Sequence, residues 1–211
     1  ETILTLPPLT IDNQPPTLTG NDIPMEHAGF NHGLLAFSGT ATDSQSGVER
    51  LEFAPDGSAF HSLNLDARGR WAFNWDSREH ADGEVTPVLK AMDIAGNESA
   101  ISLREYHLDN SPPELTAREI LREAGGYNHG NIPFSGTAYD WRAGIKRLEF
   151  APDGVRFRTI SADENQRWAF TWESWERDDG GVVPVLRAVD FLGNAAEIRL
   201  REFQLDNSAP E

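Results

Sequence analysis

The chain has 211 residues, with 34 acidic against 18 basic side chains, six Trp, 13 Pro, 18 Gly and no Cys. A net charge of −16 argues against nucleic acid as a partner, because phosphate binding needs a concentrated basic face. The missing cysteines exclude disulfides, thiol catalysis and cysteine-held metals, and no apolar run approaches the roughly 20 residues of a membrane-spanning helix, so direct membrane insertion is not expected.

Self-similarity organises the rest. Phe37-Ser38-Gly39-Thr40-Ala41 recurs as Phe134 to Ala138, Arg50 to Gly57 recurs unchanged as Arg147 to Gly154, and Leu108-Asp109-Asn110 returns as Leu205-Asp206-Asn207. Every pair is offset by 97 positions, and aligning 11–114 on 108–211 gives 56 identities in 104 positions without a gap. The expected organisation is two copies of one domain, at 14–110 and 111–207. Residues 1–13 align with the last strand and linker of the first copy, and 208–211 with the start of the second. We therefore expect 1–13 to be the terminal strand of a preceding repeat and 208–211 the start of a linker to a following one. A rival reading makes 1–11 a free strand that pairs with a neighbouring molecule's sheet edge, which Pro7-Pro8 would keep short.

Within one copy the elements follow a period of two, not 3.6. Leu18 and its neighbours form a first strand. In Leu35 to Ala41 one face carries Leu35, Phe37, Gly39 and Ala41. Arg50-Leu51-Glu52-Phe53 turns Leu51 and Phe53 inward, and Pro55-Asp56-Gly57 is a turn. Phe60 to Leu65 is a short strand, and Trp71, Phe73 and Trp75 share a face of the next. Asp82-Gly83 turns into the strand Val85 to Met92, and Asp93 to Asn97 turns out of it. Ile101 to Leu108 closes the copy, with an inward phase that switches near Arg104 and so predicts a bulge. About seven short strands in 97 residues, with turns every 8–12, predict an all-β chain of two tandem immunoglobulin-like sandwiches.

The string Asp43 to Val48, Asp56-Gly57, Trp71, Ala91 to Asn97 and Leu108 to Pro113 resembles the Ig-like repeats of bacterial surface proteins. That resemblance implies an extracellular or cell-surface location and neighbouring Ig-like repeats, in the same chain or in a fibre, as the main partners. It leaves function open between a structural stalk or fibre subunit and an adhesin or an accessory module binding carbohydrate, matrix or a surface protein.

The acidic loops are the candidate site. In this topology the B–C loop, the F–G loop and the start of strand A gather at one end of the sandwich. For the second copy that brings Asp109, Asn110, Asp140, Asp190 and Asn194 together at the junction with the first. Oxygen ligands of this kind suit Ca²⁺. The same residues fit turn capping through bonds to their own backbone, without any ion, and turn capping is the favoured reading. Trp71, Trp75, Trp168 and Trp172 recur and are expected in the cores. Trp141 and Trp175 replace Ser44 and Arg78, so the fold does not require them. They are interface candidates at opposite ends of the second copy. His32 and His129 sit in matching Asn-His-Gly turns and cannot share a metal. No hydrolase, zinc-protease or phosphate-loop motif is present in the sequence, and no carboxylate pair suggests glycosidase geometry, so an enzyme is not expected.

Overall fold

The computed structural model describes residues 10–118 and 126–208. Residues 1–9 of the expected terminal segment 1–13, the second copy's divergent 119–125 and the last residues 209–211 lie outside the described residues. The chain folds into two compact units, the first built mainly of residues up to Leu108 and the second mainly of residues from Asp109 onward.

In unit 1 the strands are β1 (Thr17–Gly20), β2 (Phe30–Asn31), β3 (Leu34–Thr42), β4 (Val48–Ala54), β5 (His61–Leu63), β6 (Arg70–Asp76), β7 (Gly83–Val85), β8 (Val88–Asp93), β9 (Glu98–Ser102) and β10 (Tyr106–Leu108). One sheet has the order β1-β3-β6, a second β5-β4-β8-β9, and a short third one β2-β10-β7. The alternation read from the sequence is what the sheet buries. Leu35, Phe37 and Ala41 on β3, Leu51 and Phe53 on β4, Trp71 on β6, Leu89 and Ala91 on β8, and Tyr106 and Leu108 on β10 form one core between the sheets. Phe37 packs against Phe53 at 5.0 Å between ring centroids and edge-on against Tyr106 at 5.6 Å, arrangements that each add about 1 kcal/mol beyond burial.

Unit 2 repeats the plan with β11 (Glu114–Ala117), β12 (Asn131–Tyr139), β13 (Ile145–Ala151), β14 (Arg158–Ile160), β15 (Arg167–Glu173), β16 (Gly180–Val182), β17 (Val185–Asp190), β18 (Ala195–Arg199) and β19 (Phe203–Leu205). Its sheets run β11-β12-β15, β14-β13-β17-β18 and β16-β19. In place of β2 it has a single parallel bridge, Asn128 to Leu205. Phe134, Phe150, Trp168, Trp172, Leu186 and Phe203 lie in its core. Trp71, Trp168 and Trp172 are buried as expected, and Trp75 is half-buried against the unit 1 core.

Two expected strands are each broken in two, which is why more than seven appear per unit. Val85 pairs with Tyr106 and Val88 with Ser102, so Leu103, Arg104 and Glu105 stand opposite only Thr86 and Pro87. That three-against-two offset is the bulge predicted at Arg104. Unit 2 has it at the same place, with Val182 facing Phe203 and Val185 facing Arg199. Arg104 lies over the Tyr106 ring at 4.9 Å and donates to the Ile23 carbonyl oxygen.

The repeated Phe-Ser-Gly-Thr-Ala string also has a physical cause. Gly39 pairs with Trp71, whose indole Nε1–H donates to the Thr19 carbonyl oxygen at 3.2 Å. A methyl at Gly39 would lie 2.0 Å from that oxygen. Unit 2 has Gly136, Trp168 and Thr116 in the same arrangement, with the indole bond at 3.3 Å and the hypothetical methyl again 2.0 Å from the carbonyl oxygen.

Candidate functional site

Three loops build an acidic cluster in each unit. In unit 2, Asp140 follows β12, Asp190 ends β17 and Asp109 precedes β11; one carboxylate oxygen from each lies within 4.8 Å of the other two. In unit 1 the same is true of Asp12, Asp43 and Asp93, the residues 97 positions earlier. Only the second set was expected from loop order, although the repeat period carried the signal for the first.

Local backbone chemistry fixes these side chains. Asp140 Oδ1 accepts the backbone N–H groups of Arg142, Ala143 and Gly144 at 2.8–3.0 Å, and Asp43 Oδ1 those of Gln45, Ser46 and Gly47. Gly47 and Gly144, at φ +86° and +74°, complete these turns in a backbone region that favours glycine. Asp190 Oδ1 accepts from Gly193 N and Asn194 N, while its Oδ2 accepts from Asn194 Nδ2. Asn194 Nδ2 also donates to the Asp109 carbonyl oxygen at 3.0 Å, so this asparagine ties two of the three acidic positions together. Asn97 does the same in unit 1, reaching Asp93 Oδ2 and the Asp12 carbonyl. Asp12 itself accepts from Gln14 N and Ser46 N.

In unit 1 the bonds to Asp43 and Asp93 favour the charged form. The Gly47 N–H, against the opposing effect of burial and with help from Gln45 and Ser46, holds the Asp43 carboxyl below its ordinary range. For Asp93 burial pushes upward, but the bonds from Asn97 and the Gly96 N–H outweigh it, and the net direction is again down despite the neighbouring Asp43 charge. Asp43 and Asp93 are thus held below their ordinary range although their charges repel. A hard divalent cation is the chemical complement of such a set, and Ca²⁺ takes carboxylate, amide and carbonyl oxygens. The turn-capping reading describes the Oδ1 contacts of Asp43 and Asp140 fully.

The other expected site residues fall as follows. Asn110 is half-buried directly after Asp109. Its counterpart Asn207 donates from Nδ2 to the carbonyls of Ser174 and Arg177 and accepts at Oδ1 from the Ser174 hydroxyl, which latches the 3-10 turn at Ser174–Glu176. Trp141 is 64% exposed beside Asp140, with the Arg142 guanidinium stacked 4.0 Å from its ring. Trp175 is 59% exposed in the 3-10 turn, its ring lying over Gly130. β12, about 27 Å long at ~3.4 Å per residue, runs between the two positions, so they form no common surface. An exposed group that gave no signal in the sequence has His107 lying 3.8 Å from Glu84 and 3.6 Å from Glu105; unit 2 has Gly181, Glu202 and Gln204 there.

Facing sheets around one core, in the strand order above, define an immunoglobulin-like sandwich. A family model described as a bacterial Ig domain matches residues 23–86, and unit 2 repeats that unit in sequence and strand order. The chain therefore carries a bacterial Ig-like domain at 23–86, and unit 2 repeats its sequence 97 positions on. Among solved structures it is similar to the fibronectin(III)-like modules of CbhA from Clostridium thermocellum, at 18% identity over 91% of this chain and 93% of that one, with a TM-score of 0.39. It is also similar to a 1.5-MDa bacterial ice-binding adhesin (16% identity, 94% and 67% covered, TM-score 0.44). A third is a Ca²⁺-stabilised adhesin with which an Antarctic bacterium binds ice (21% identity, 92% and 49% covered, TM-score 0.46). No curated protein matches the sequence. Among the described residues no helix is long and apolar enough to cross a membrane.

Proposed function

We propose that the chain is a non-catalytic structural module of an extracellular, bacterial cell-surface repeat array, either a stalk or a fibre-forming subunit. The observation that carries this reading is the 97-residue period, which repeats the core, the bulge and the acidic cluster together. A unit whose copies keep their cores and loops but vary their exposed side chains is suited to serial use. Pro15-Pro16 and Pro112-Pro113 support it, because each diproline restricts the residue before it to extended geometry.

Ca²⁺ is the cofactor that fits the clusters, held by Asp12, Asp43 and Asp93 in unit 1 and by Asp109, Asp140 and Asp190 in unit 2. Bound there, it would cancel charge that the turns gather and would lock three loops to one another. Thermal melts in EDTA and in millimolar Ca²⁺ test this. At a concentration 100 times Kd, a single site adds about 2.7 kcal/mol of stability. Identical melts would remove the ion, while Asp190→Ala should abolish the Ca²⁺ effect of unit 2.

A second reading, an adhesin or an accessory module that binds carbohydrate or matrix, is favoured by the exposed indoles of Trp141 and Trp175. Its test is a glycan and matrix array with the full chain. Saturable binding lost in Trp141→Ala or Trp175→Ala would establish that reading and displace the purely structural one.

A further inference from the structure

Ala-Pro-Asp-Gly stands unchanged at 54–57 and 151–154, yet the side chains beside the two turns differ. In each, the aspartate caps its own turn. Asp56 Oδ1 accepts from Ser58 N and Ala59 N at 2.8 Å, and Asp153 Oδ1 from Val155 N and Arg156 N at 2.9 and 2.8 Å. The other oxygen of Asp153, whose side chain is 5% exposed, lies 3.4 Å from Arg177 and 3.9 Å from Arg156. Arg158 beside them bonds Glu176 at 2.7 Å.

Unit 1 has Ala59, His61 and His80 where unit 2 has Arg156, Arg158 and Arg177, while Glu79 matches Glu176. Each fixed cation of this corner is thus replaced by histidine or by nothing. His80 Nε2 lies 3.9 Å from Asp56 Oδ2. Its Nδ1 lies 2.9 Å from the Ala81 carbonyl oxygen, which can only accept, so the proton sits on Nδ1. In the neutral ring Nε2 therefore turns a lone pair toward the Asp56 carboxylate, and protonation replaces that repulsion with an ion pair. The groups around His80 are Asp56 from the β4–β5 turn, the Trp75 ring from β6, met edge-on at 5.6 Å, and the sequence neighbours Glu79 and Asp82. His61, on β5, is engaged with Phe73 at 5.1 Å.

We propose that His80 and Asp56 form a proton-sensitive latch on the Asp-Gly turn of unit 1, which Arg177 and Asp153 make permanent in unit 2. Mild acidification then tightens this corner of the first unit and leaves the same corner of the second unchanged. The window follows from the two partners. Burial pushes the Asp56 carboxyl up, but the N–H groups of Ala59 and Ser58, the Ser58 hydroxyl and the His80 charge outweigh it and hold it below 3.8. A depressed carboxyl keeps its contribution until the pH falls through that lowered value. A contribution that needs the imidazolium is present on the acid side and lost as pH rises. The latch is closed on the acid side of neutrality, until the pH falls through the lowered value of Asp56.

The test uses the full chain and exchanges the two residues, each substitution installing what the other unit already accommodates. Melting midpoints are recorded from pH 8 to pH 5 for the parent, His80→Arg, Arg177→His and His61→Arg. Relative to His80→Arg, the parent should gain about 2 °C on acidification, a shift set by a partly exposed pair in a domain of this size. Arg177→His should steepen the dependence by a similar amount, and His61→Arg should follow the parent. Superimposable profiles for the parent and His80→Arg, or a slope that follows His61 instead, would overturn the latch.

Discussion

Units 1 and 2 hold the same residues where the fold needs a particular shape and different ones where it only needs a side chain. Gly39 and Gly136, Trp71 and Trp168, Asp93 and Asp190, and Asn97 and Asn194 are matched in identity and in the bonds described above. Ser44 against Trp141, Arg78 against Trp175, Tyr106 against Phe203 and His80 against Arg177 are not. The difference teaches which interactions define the domain and which were free to diverge. The loop carboxylates fall in the first class and the exposed indoles in the second.

The sharpest way to break that division is Gly39→Ala or Gly136→Ala. The added methyl meets a backbone carbonyl oxygen at 2.0 Å, and backbone cannot step aside as a side chain can. The expected loss is about 3 kcal/mol, at the upper end for overpacking, confined to the unit that carries the change. Urea unfolding of the full chain measures it, and a loss below about 1 kcal/mol, the lower end for overpacking, would show that the first strand of the unit can move. A middle-sized test exchanges a divergent core residue. Tyr106→Phe removes the hydroxyl that accepts the Ile23 N–H at 3.0 Å and should cost unit 1 about 1 kcal/mol. The reverse change, Phe203→Tyr, should bring no equal gain. The smallest effect is expected where the units differ most visibly. Trp175→Arg and Trp141→Ser, which copy unit 1 into unit 2, should each shift stability by less than about 0.5 kcal/mol. A larger loss would make these indoles part of the fold.

Strand positions, the core tryptophans and the bulge were legible because alternation reports burial directly. Leu35, Phe37 and Ala41 are buried on β3, and Tyr106 and Leu108 on β10. The acidic cluster was legible in part. Asp109, Asp140 and Asp190 could be gathered from loop order alone, but the donor role of Asn194 and the latch formed by Asn207 depend on side-chain direction, which no spacing reveals. His80 gave no signal at all. It lies 24 positions from Asp56, on a turn that only the three-dimensional path of β6 brings to the β4–β5 corner. Comparing the units exposes it, because the same corner in unit 2 is filled with arginine.

The offset at Leu103–Glu105 has a consequence of parity. Ile101 and Leu103 are odd-numbered and pack on the core, whereas Tyr106 and Leu108 are even-numbered and also lie in it. An uninterrupted strand shows alternate residues to opposite faces and could not point both sets the same way. Ile198 and Leu200 stand against Phe203 and Leu205 in the same relation. The extra residue converts odd into even, and it does so once per unit. Removing one residue here would turn the end of the strand inside out, whereas removing two would preserve its facing. Repeat length in this protein is thus constrained in steps of two at the very place where the chain prepares to leave one unit.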